Sequence, residues 1–360
     1  MAAQRDGRRG TAYRLPAHGT LAGPGDPCRC ERPVMKLHQL RYLAAVVQNG
    51  LNITTAAKKL HTSQPGVSKQ LKLLEDELGF PVFERDGRNL ARVTPAGQQV
   101  VDRALKILEE VQNIRRLSAD VRGDTTGSLS IGTTHTQARY VLPPIVAAFR
   151  RDYPEVDLHL HQGTSEQIAE LAKSERIDFA IATGAAEQFP NLVLLPWYRW
   201  RRQIIVPKGH PLTQDRAPSL KALARHPIVT YTFSFSGRSS LPALFESAGL
   251  ELNVALTAAD ADTIKTYVRL GLGVGIVAGM SLVPGEDDDL VVIDAGHLFA
   301  PHVTWIGFDR GRLLRGYLYD FLKLCSPHLT RRRIELAVRA KTPEDLAAVF
   351  DDVTLPERPA

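Results

Sequence analysis

One long amphipathic segment constrains the fold of this chain more than any other feature of its sequence. After Thr94 and Pro95, which are typical of a helix N-cap and first turn, apolar residues recur at alternating spacings of four and three positions. The members of this seam are Val100, Ala104, Ile107, Val111, Ile114, the polar Ser118 and Val121. The period predicts a helix over residues 95–122 that pairs with another helix, and a core helix of a single domain is the alternative.

Residues 35–94, which precede this helix, have the pattern of a small and mainly helical domain. Apolar periodicity and capping residues predict three helices, Leu37–Val47, Thr54–Leu60 and Ser63–Leu78, followed by two short strands around 82–85 and 90–93. Three helices followed by a hairpin are typical of a winged helix-turn-helix.

Charge is concentrated in the N-terminal part of the chain. The net charge is +6, and residues 35–94 carry nine basic against five acidic side chains. Residues 1–34 carry six basic against three acidic side chains, which leaves the rest of the chain near −1. A basic domain on a near-neutral body favours a polyanionic partner, although a solvated basic face has the same composition.

Beyond residue 127, strand and helix patterns alternate over nearly 200 residues, which predicts an α/β body of two doubly wound lobes. We expect lobe I at about 127–195 and 297–325, and lobe II at about 196–296. The crossovers are placed at Pro196 and near Ala295 and Gly296. Residues 326–360 form a C-terminal tail. Residues 1–34, rich in Gly, Pro and Arg, are interpreted as a disordered extension or as the product of a mis-assigned start.

Several classes of protein are disfavoured by the sequence. No apolar run reaches the length of a membrane span, and residues 1–34 lack the apolar segment of a secretory signal. The cysteines Cys28, Cys30 and Cys325 cannot build a disulfide framework, so a cytoplasmic location is expected. No metal site is predicted, because Cys28 and Cys30 alone are too few ligands. No phosphate loop, nucleophile elbow or zinc-protease motif is present, so neither an enzyme nor a cofactor is expected. An exported solute-binding protein would need a signal and no DNA-binding domain.

The third helix has the features of a DNA-reading element. Opposite its leucines it presents polar side chains whose chemistry suits base edges and phosphates, and the following hairpin adds arginines as a wing. The predicted DNA-contacting residues are Thr62, Ser63, Gln64, Pro65, Ser68, Lys69, Lys72, Arg85 and Arg88, with Arg92 as a further wing arginine. A plain three-helix core with solvated polar residues is the alternative.

The run Thr55–Leu71 is similar to the signature of LysR-type transcriptional regulators, as are Leu74–Gly79, Val82–Arg85 and Thr94–Gly97. This resemblance implies a winged helix-turn-helix, a dimerising linker helix and a two-lobed effector domain similar to periplasmic binding proteins. It also implies promoter DNA and RNA polymerase as partners, and a homodimer or homotetramer as the assembly.

A small-molecule site is predicted where a strand leads into the helix after Thr133. Hydroxyls and free backbone N–H groups at such a turn suit an anion, whereas N-capping alone is the alternative. Segments from Thr133 to the tail Val353–Glu357 resemble the branch of the family that regulates sulfur assimilation and cysteine synthesis. The resemblance implies sulfate, thiosulfate or acetylserine as the ligand, bound by Thr134, Thr136, Gln137, Thr183 and Ser236. A related branch, which serves sulfonate-sulfur use and senses adenosine phosphosulfate, is the alternative. His135, His159 and His161 are interpreted as structural.

Overall fold

The computed structural model describes residues 35–87, 89–173, 176–183, 189, 192–215, 217–232 and 240–358. Its helices are α1 (Leu37–Gln48), α2 (Ile53–Lys59), α3 (Gln64–Leu78), α4 (Pro95–Val121), α5 (His135–Tyr140), α6 (Leu142–Asp152), α7 (Ser165–Lys173), α8 (Leu220–Leu223), α9 (Leu241–Ser247), α10 (Ala261–Arg269), α11 (Gly316–Cys325), α12 (Arg331–Arg339) and α13 (Pro343–Ala348). No helix within these ranges is long and apolar enough to cross a membrane.

The strands are β1 (Phe83–Asp86), β2 (Asn89–Val93), β3 (Gly127–Thr133), β4 (Val156–Gln162), β5 (Phe179–Thr183), β6 (Leu192–Trp200), β7 (Arg202–Pro207), β8 (Ile228–Tyr231), β9 (Val254–Ala258), β10 (Val274–Ala278), β11 (Leu290–Asp294), β12 (His302–Asp309) and β13 (Glu357–Arg358). The chain divides into two compact units, one ending at Leu108 and the other beginning at Glu109. The interpretations of residues 1–34, including Cys28 and Cys30, fall outside the described residues, as do Arg88 and Ser236.

The first unit is a three-helix core followed by an antiparallel hairpin. The Ser63 hydroxyl caps α3 by accepting from the backbone N–H of Gly66 at 3.2 Å. Gly79 ends α3 with a left-handed φ of 75°, a conformation that glycine adopts without steric cost. One face of α3 is buried against α1 and α2 through Val67, Leu71 and Leu74. The opposite face of α3 is thereby left to solvent.

Helix α4 contributes its first half to the first unit and its second half to the second. Val101 and Ala104 are buried in the core of the first unit. The sequence prediction that Ala104 belongs to a seam for pairing with another helix is therefore wrong for this residue. Further along, Ile107, Ile114 and Val121 are 46%, 66% and 79% exposed, and Leu117, Lys106 and Arg115 also face solvent. An exposed apolar face therefore remains on α4 beyond its first three turns.

The second half of α4 is anchored in the second unit by buried polar contacts. The Asn113 side chain donates to the carbonyl of Gly311 at 2.8 Å and accepts from the N–H of Leu313 at 2.9 Å. Asp120 accepts from the N–H of Gly316 at 3.0 Å and pairs with Arg315 at 3.2 Å. These contacts fix the helix to the chain segment that leads into α11.

Lobe I of the second unit contains a six-stranded sheet in the order β13-β6-β12-β5-β3-β4. Strands β3, β4 and β5 are parallel, and β12 is antiparallel to both β5 and β6. Lobe II contains a five-stranded sheet in the order β11-β7-β10-β8-β9, in which β8, β9 and β10 are parallel and β7 is antiparallel. One buried apolar cluster runs through both lobes and includes Phe179, Phe308 and Val268.

The first crossover between the lobes was misplaced by the sequence prediction. Pro196 lies inside β6, opposite Trp305 at a register irregularity of the β6–β12 pair. Strand β6 continues to Trp200, and the chain enters lobe II at Arg202. Since a proline lacks the N–H of one ladder bond, it is tolerated at such an irregularity and does not have to end the strand. The return crossing lies between Asp294 and His302.

The C-terminal segment folds onto lobe I. Ile334 and Ala337 of α12 are buried in the main cluster, and β13 pairs in parallel with the end of β6. Beside this strand pair, Glu357 accepts from Arg201 Nε at 2.5 Å and the Arg358 guanidinium lies 5.1 Å from the centroid of the Tyr198 ring. The segment thus packs directly beside the first crossover.

Candidate functional site

The outer face of α3 is the first candidate site. Gln64, Lys69 and Lys72 are exposed there, and Ser68 is half-buried between them. No ion pair holds either lysine among the described residues, so both ammonium groups are available to phosphates. Together with residues at the start of the hairpin they line a concave surface, whose members are Gln64, Pro65, Ser68, Lys69, Lys72, Glu75, Asp76, Gly79, Phe80, Pro81 and Arg85. Thr62 and Ser63 are exposed at the start of this helix.

The hairpin is tied to α3 by one carboxylate. Glu75 Oε1 accepts from the N–H groups of Val82 and Phe83 at 2.9 and 3.0 Å, and Oε2 pairs with Arg85 at 3.3 Å. Arg92 is paired with Glu84 at 2.7 Å. The described wing arginines are therefore already neutralised by carboxylates, which the sequence prediction did not anticipate. Contact with DNA phosphates requires them to exchange these partners.

The second candidate site lies between the lobes, at the turn between β3 and α5. Thr134 occupies the N-cap position of α5 and is half-buried, but its hydroxyl makes no capping bond. Thr136 and Gln137 are 7% and 2% exposed. Capping alone therefore does not account for the hydroxyl of Thr134.

A hydrogen-bond network joins the predicted ligand-binding residues Gln137 and Thr183. Gln137 Nε2 lies 3.5 Å from Thr304 Oγ1, and that hydroxyl lies 2.9 Å from Thr183 Oγ1. Trp200 Nε1 donates to Thr183 Oγ1 at 3.3 Å, and the Tyr198 hydroxyl donates to Gln137 Oε1. Four strands and helices of lobe I thus meet in one cluster of uncharged polar groups.

Lobe II contributes a tyrosine to this cluster. The Tyr231 hydroxyl accepts from the N–H of Ala278 at 3.1 Å and is hydrogen-bonded to the side chain of Thr136. Burial raises the pKa of Tyr231 and of Tyr198, so both phenols stay protonated at neutral pH. Thr136 therefore bridges the two lobes through an uncharged hydrogen bond.

Charged residues form a separate contact between the lobes. Asp262 of α10 accepts from the Tyr140 hydroxyl at 2.6 Å and pairs with Arg139 at 3.3 Å. Lys265 donates to the Tyr140 hydroxyl at 3.1 Å and pairs with Asp287 at 3.0 Å. Burial acts against the ionised form of Asp262, but Tyr140, Lys265 and Arg139 outweigh it and lower the pKa of Asp262. These contacts join α5 of lobe I to α10 of lobe II.

His135, Asp260 and Asp262 are close enough to act as ligands of one cation, with their candidate atoms within 4.8 Å of one another. Both carboxylates already have other partners, however. Asp260 caps α10 by accepting from the N–H of Thr263 at 2.8 Å, and Asp262 is paired with cationic side chains. The positive charge of these side chains opposes a bound cation.

Sequence reasoning did not identify Tyr198, Thr304, Trp200 or Tyr231 as residues of the cleft. Tyr198 lies 61 positions from Gln137 and Thr304 lies 121 positions from Thr183. Tyr198, Trp200 and Thr304 come together because β6 and β12 are neighbours in the six-stranded sheet, whereas Tyr231 ends β8 in the other sheet. No local motif marks these residues. Ser236 lies outside the described residues.

Two family models match this chain. Residues 37–98 match the bacterial regulatory helix-turn-helix protein of the lysR family, and residues 122–330 match the LysR substrate binding domain. The chain is 47% identical over 321 residues to the HTH-type transcriptional regulator CysB of Haemophilus influenzae, which covers 89% of this chain and 99% of that protein. It is 41% identical over 312 residues to the regulator cbl of Escherichia coli, covering 87% of this chain and 99% of that protein.

Among solved structures, the cofactor-binding domain of the Cbl transcriptional regulator matches 60% of this chain and 94% of that domain. Its TM-score is 0.56 and its sequence identity is 44%. Both family models agree with the order of elements, a helix-turn-helix followed by an α/β body of two lobes. The chain therefore belongs to the LysR family of DNA-binding transcriptional regulators, with CysB regulators among its relatives.

Proposed function

We propose that this LysR-family chain regulates genes of sulfur assimilation and cysteine biosynthesis in response to a small ligand bound between its lobes. The proposed ligands are sulfate, thiosulfate, and N- or O-acetylserine. The observation that carries the proposal is the cluster of uncharged groups around Gln137, Thr183 and Thr304. Hydroxyl and amide donors bind small oxyanions through charge-assisted hydrogen bonds. The 47% identity to a CysB regulator supports the same assignment.

Substitution of Thr136 is the most direct test of this ligand site. Thr136→Val keeps the shape of the side chain and removes one hydroxyl donor. The loss of a hydrogen bond to a charged ligand costs about 1.5–3 kcal/mol, so we expect binding to weaken by roughly ten- to a hundredfold. Titration calorimetry of the full chain with sulfate, thiosulfate and N-acetylserine measures the effect. Thr257 is an exposed threonine of β9, and Thr257→Val is the matched control.

The outcomes separate the ligand from the location of its site. If the unaltered protein binds none of these compounds, the ligand assignment is wrong while membership of the family stands. If it binds sulfate and Thr136→Val binds sulfate equally well, the anion lies elsewhere.

A regulator of sulfonate-sulfur use, similar to Cbl, is the second candidate. The supporting observation is the 44% identity to the Cbl cofactor-binding domain over 60% of this chain. Parallel titrations with N-acetylserine and adenosine phosphosulfate distinguish the two candidates, because the second ligand carries a nucleotide that the first lacks. Ligand-dependent footprinting on promoters of sulfur-assimilation and sulfonate-use genes then identifies the regulon.

The face of α3 that carries Gln64, Lys69 and Lys72 is the proposed reader of promoter DNA. In a helix-turn-helix the second helix enters the major groove, where Gln suits adenine and Lys suits guanine or phosphate. Thr62, Ser63, Pro65 and Ser68 lie beside these residues, and Arg85 belongs to the wing. Arg88, which is outside the described residues, is proposed as a further contact to DNA. RNA polymerase is the proposed protein partner at the promoter.

The exposed apolar face of α4 is the proposed dimer contact. Ile107, Ile114, Leu117 and Val121 carry this face, and their spacing suits a helix–helix pair with a second copy of the chain. A homotetramer then forms from two such dimers.

A further inference from the structure

Arg202 is a buried cation that has no counter-ion among the described residues. Only 3% of its surface is exposed, and its Nε has no hydrogen-bond partner. No carboxylate forms an ion pair with it in the part of the chain that the structure describes. The guanidinium carbon lies 5.7 Å from the centroid of the Phe299 ring. Burying an unpaired charge is costly, so such a residue requires an explanation.

The position of Arg202 places it at the edge of the lobe II sheet that borders the cleft. Arg202 is the first residue of β7 and pairs with Ala278, the last residue of β10. Ala278 donates its N–H to the Tyr231 hydroxyl, and that hydroxyl is bonded to Thr136 of lobe I. In α/β sheets, ligands bind outside the carboxyl ends of the parallel strands, where β8 and β10 end here.

The charge of Arg202 is not compensated by any anion in the described part of the chain. Burial lowers the pKa of Arg202 to about 10, so the guanidinium stays protonated at neutral pH. Burial and the nearby Arg202 lower the pKa of His302 to about 4, so that imidazole is neutral. Tyr231 is also neutral because burial raises its pKa. Of these three neighbouring groups, only Arg202 is therefore charged, and together they carry one net positive charge.

We propose that Arg202 is the counter-ion of the effector: it binds the anionic group of the ligand from lobe II and restricts the ligand to molecules that carry such a group. A planar guanidinium can form two parallel hydrogen bonds to a carboxylate or a sulfur oxyanion. Uncharged groups of lobe I and one cation of lobe II then hold the same anion. Because the ligand contacts both lobes, its binding favours an arrangement in which the lobes lie close together. This inference rests on the proposed ligand site and adds a charge requirement to it.

The test compares Arg202→Met and Arg202→Gln with Arg201→Met in the full chain. Arg201 is the adjacent residue, but it is paired with Glu357, so it serves as the matched control. We expect Arg202→Met to unfold at the same temperature as the unaltered protein or a higher one without ligand, because an unpaired buried charge has been removed. Its affinity for sulfate and N-acetylserine should fall roughly ten- to a hundredfold. Arg201→Met should bind both normally.

The second part of the experiment uses a ligand without charge. N-acetylserinamide has the shape of N-acetylserine but no carboxylate, so it should bind the unaltered protein weakly and be insensitive to Arg202→Gln. A melting temperature of Arg202→Met several degrees below that of the unaltered protein would mean that Arg202 is structural, and would overturn the inference. Equal sulfate affinity in the two Arg202 variants and the unaltered protein would also overturn it, while leaving the proposed function intact.

A further measurement separates failure of the proposed function from failure of this inference. If the sulfur compounds do not bind, thermal unfolding is repeated with phosphate, acetate and citrate at constant ionic strength. Stabilisation by one of these anions that is lost in Arg202→Met supports the counter-ion and rejects the sulfur ligand. The absence of stabilisation by any anion rejects both.

Discussion

The hydroxyl of Tyr198 is predicted to hold Gln137 in its binding position. Tyr198→Phe removes one oxygen from a side chain that is 1% exposed and leaves Gln137 Oε1 without its donor inside the protein. An unsatisfied buried acceptor costs about 1–3 kcal/mol of the free energy of unfolding. For a domain of about 200 residues, each kcal/mol corresponds to roughly 2–4 °C in melting temperature, so a decrease of about 2–12 °C is expected.

The same substitution should weaken binding of the ligand. A freed Gln137 amide can rotate away from the anion, and a lost hydrogen bond of about 1 kcal/mol corresponds to roughly fivefold in Kd. Scanning calorimetry and sulfate titration measure the two effects. Tyr153→Phe is the control, because that hydroxyl is bonded to Asp320 near the surface. Unchanged melting temperature and unchanged sulfate affinity in Tyr198→Phe would refute the role assigned to the network.

Three further predictions concern DNA binding, assembly and pH. Gln64→Ala and Lys69→Ala should each weaken specific operator binding by about 1–3 kcal/mol in gel shifts; unchanged affinity would contradict the recognition surface. Ile114→Asp should lower the mass measured by light scattering, because it places an unpaired charge in the proposed dimer contact, whereas the exposed Arg115→Asp should not; an unchanged mass for both contradicts the contact. Burial holds the pKa of His302 at about 4 in the folded chain, whereas the unfolded chain protonates this residue near pH 6.5. Protonation therefore favours the unfolded chain, and the free energy of unfolding should fall by about 3 kcal/mol as pH falls from about 6.5 to 4. Denaturant unfolding of His302→Gln should show a flatter dependence on pH over that window; an identical slope refutes this.

Local signals were sufficient to predict the DNA-binding unit. The N-cap at Ser63, the terminating Gly79 and the spacing of Val67, Leu71 and Leu74 are all properties of adjacent residues, and α3 begins and ends where they place it. Pro196 was misleading because proline disfavours a regular strand, while a strand with an irregular register accommodates it. The outcome depended on the partner strand β12, more than 100 residues away.

The candidate cleft was predictable only in part, for the same reason. The turn after Thr133 has a recognisable local pattern, and the structure brings Gln137 and Thr183 together through Thr304. Thr304 and Arg202 have no such pattern, because their importance comes from which strand ends lie side by side. Their burial and their partners become visible only in three dimensions.

The arrangement of strands also determines the order in which the chain can fold during synthesis. All strands of lobe II lie between Arg202 and Asp294, so its sheet can form as soon as that stretch leaves the ribosome. Lobe I needs β12 to join β5 to β6, and its edge is completed by β13 at Glu357. The first strands of lobe I are therefore synthesised well before β12, and the edge of β5 that pairs with β12 stays unpaired in the meantime. An unpaired edge can pair with other chains and aggregate, or be bound by chaperones.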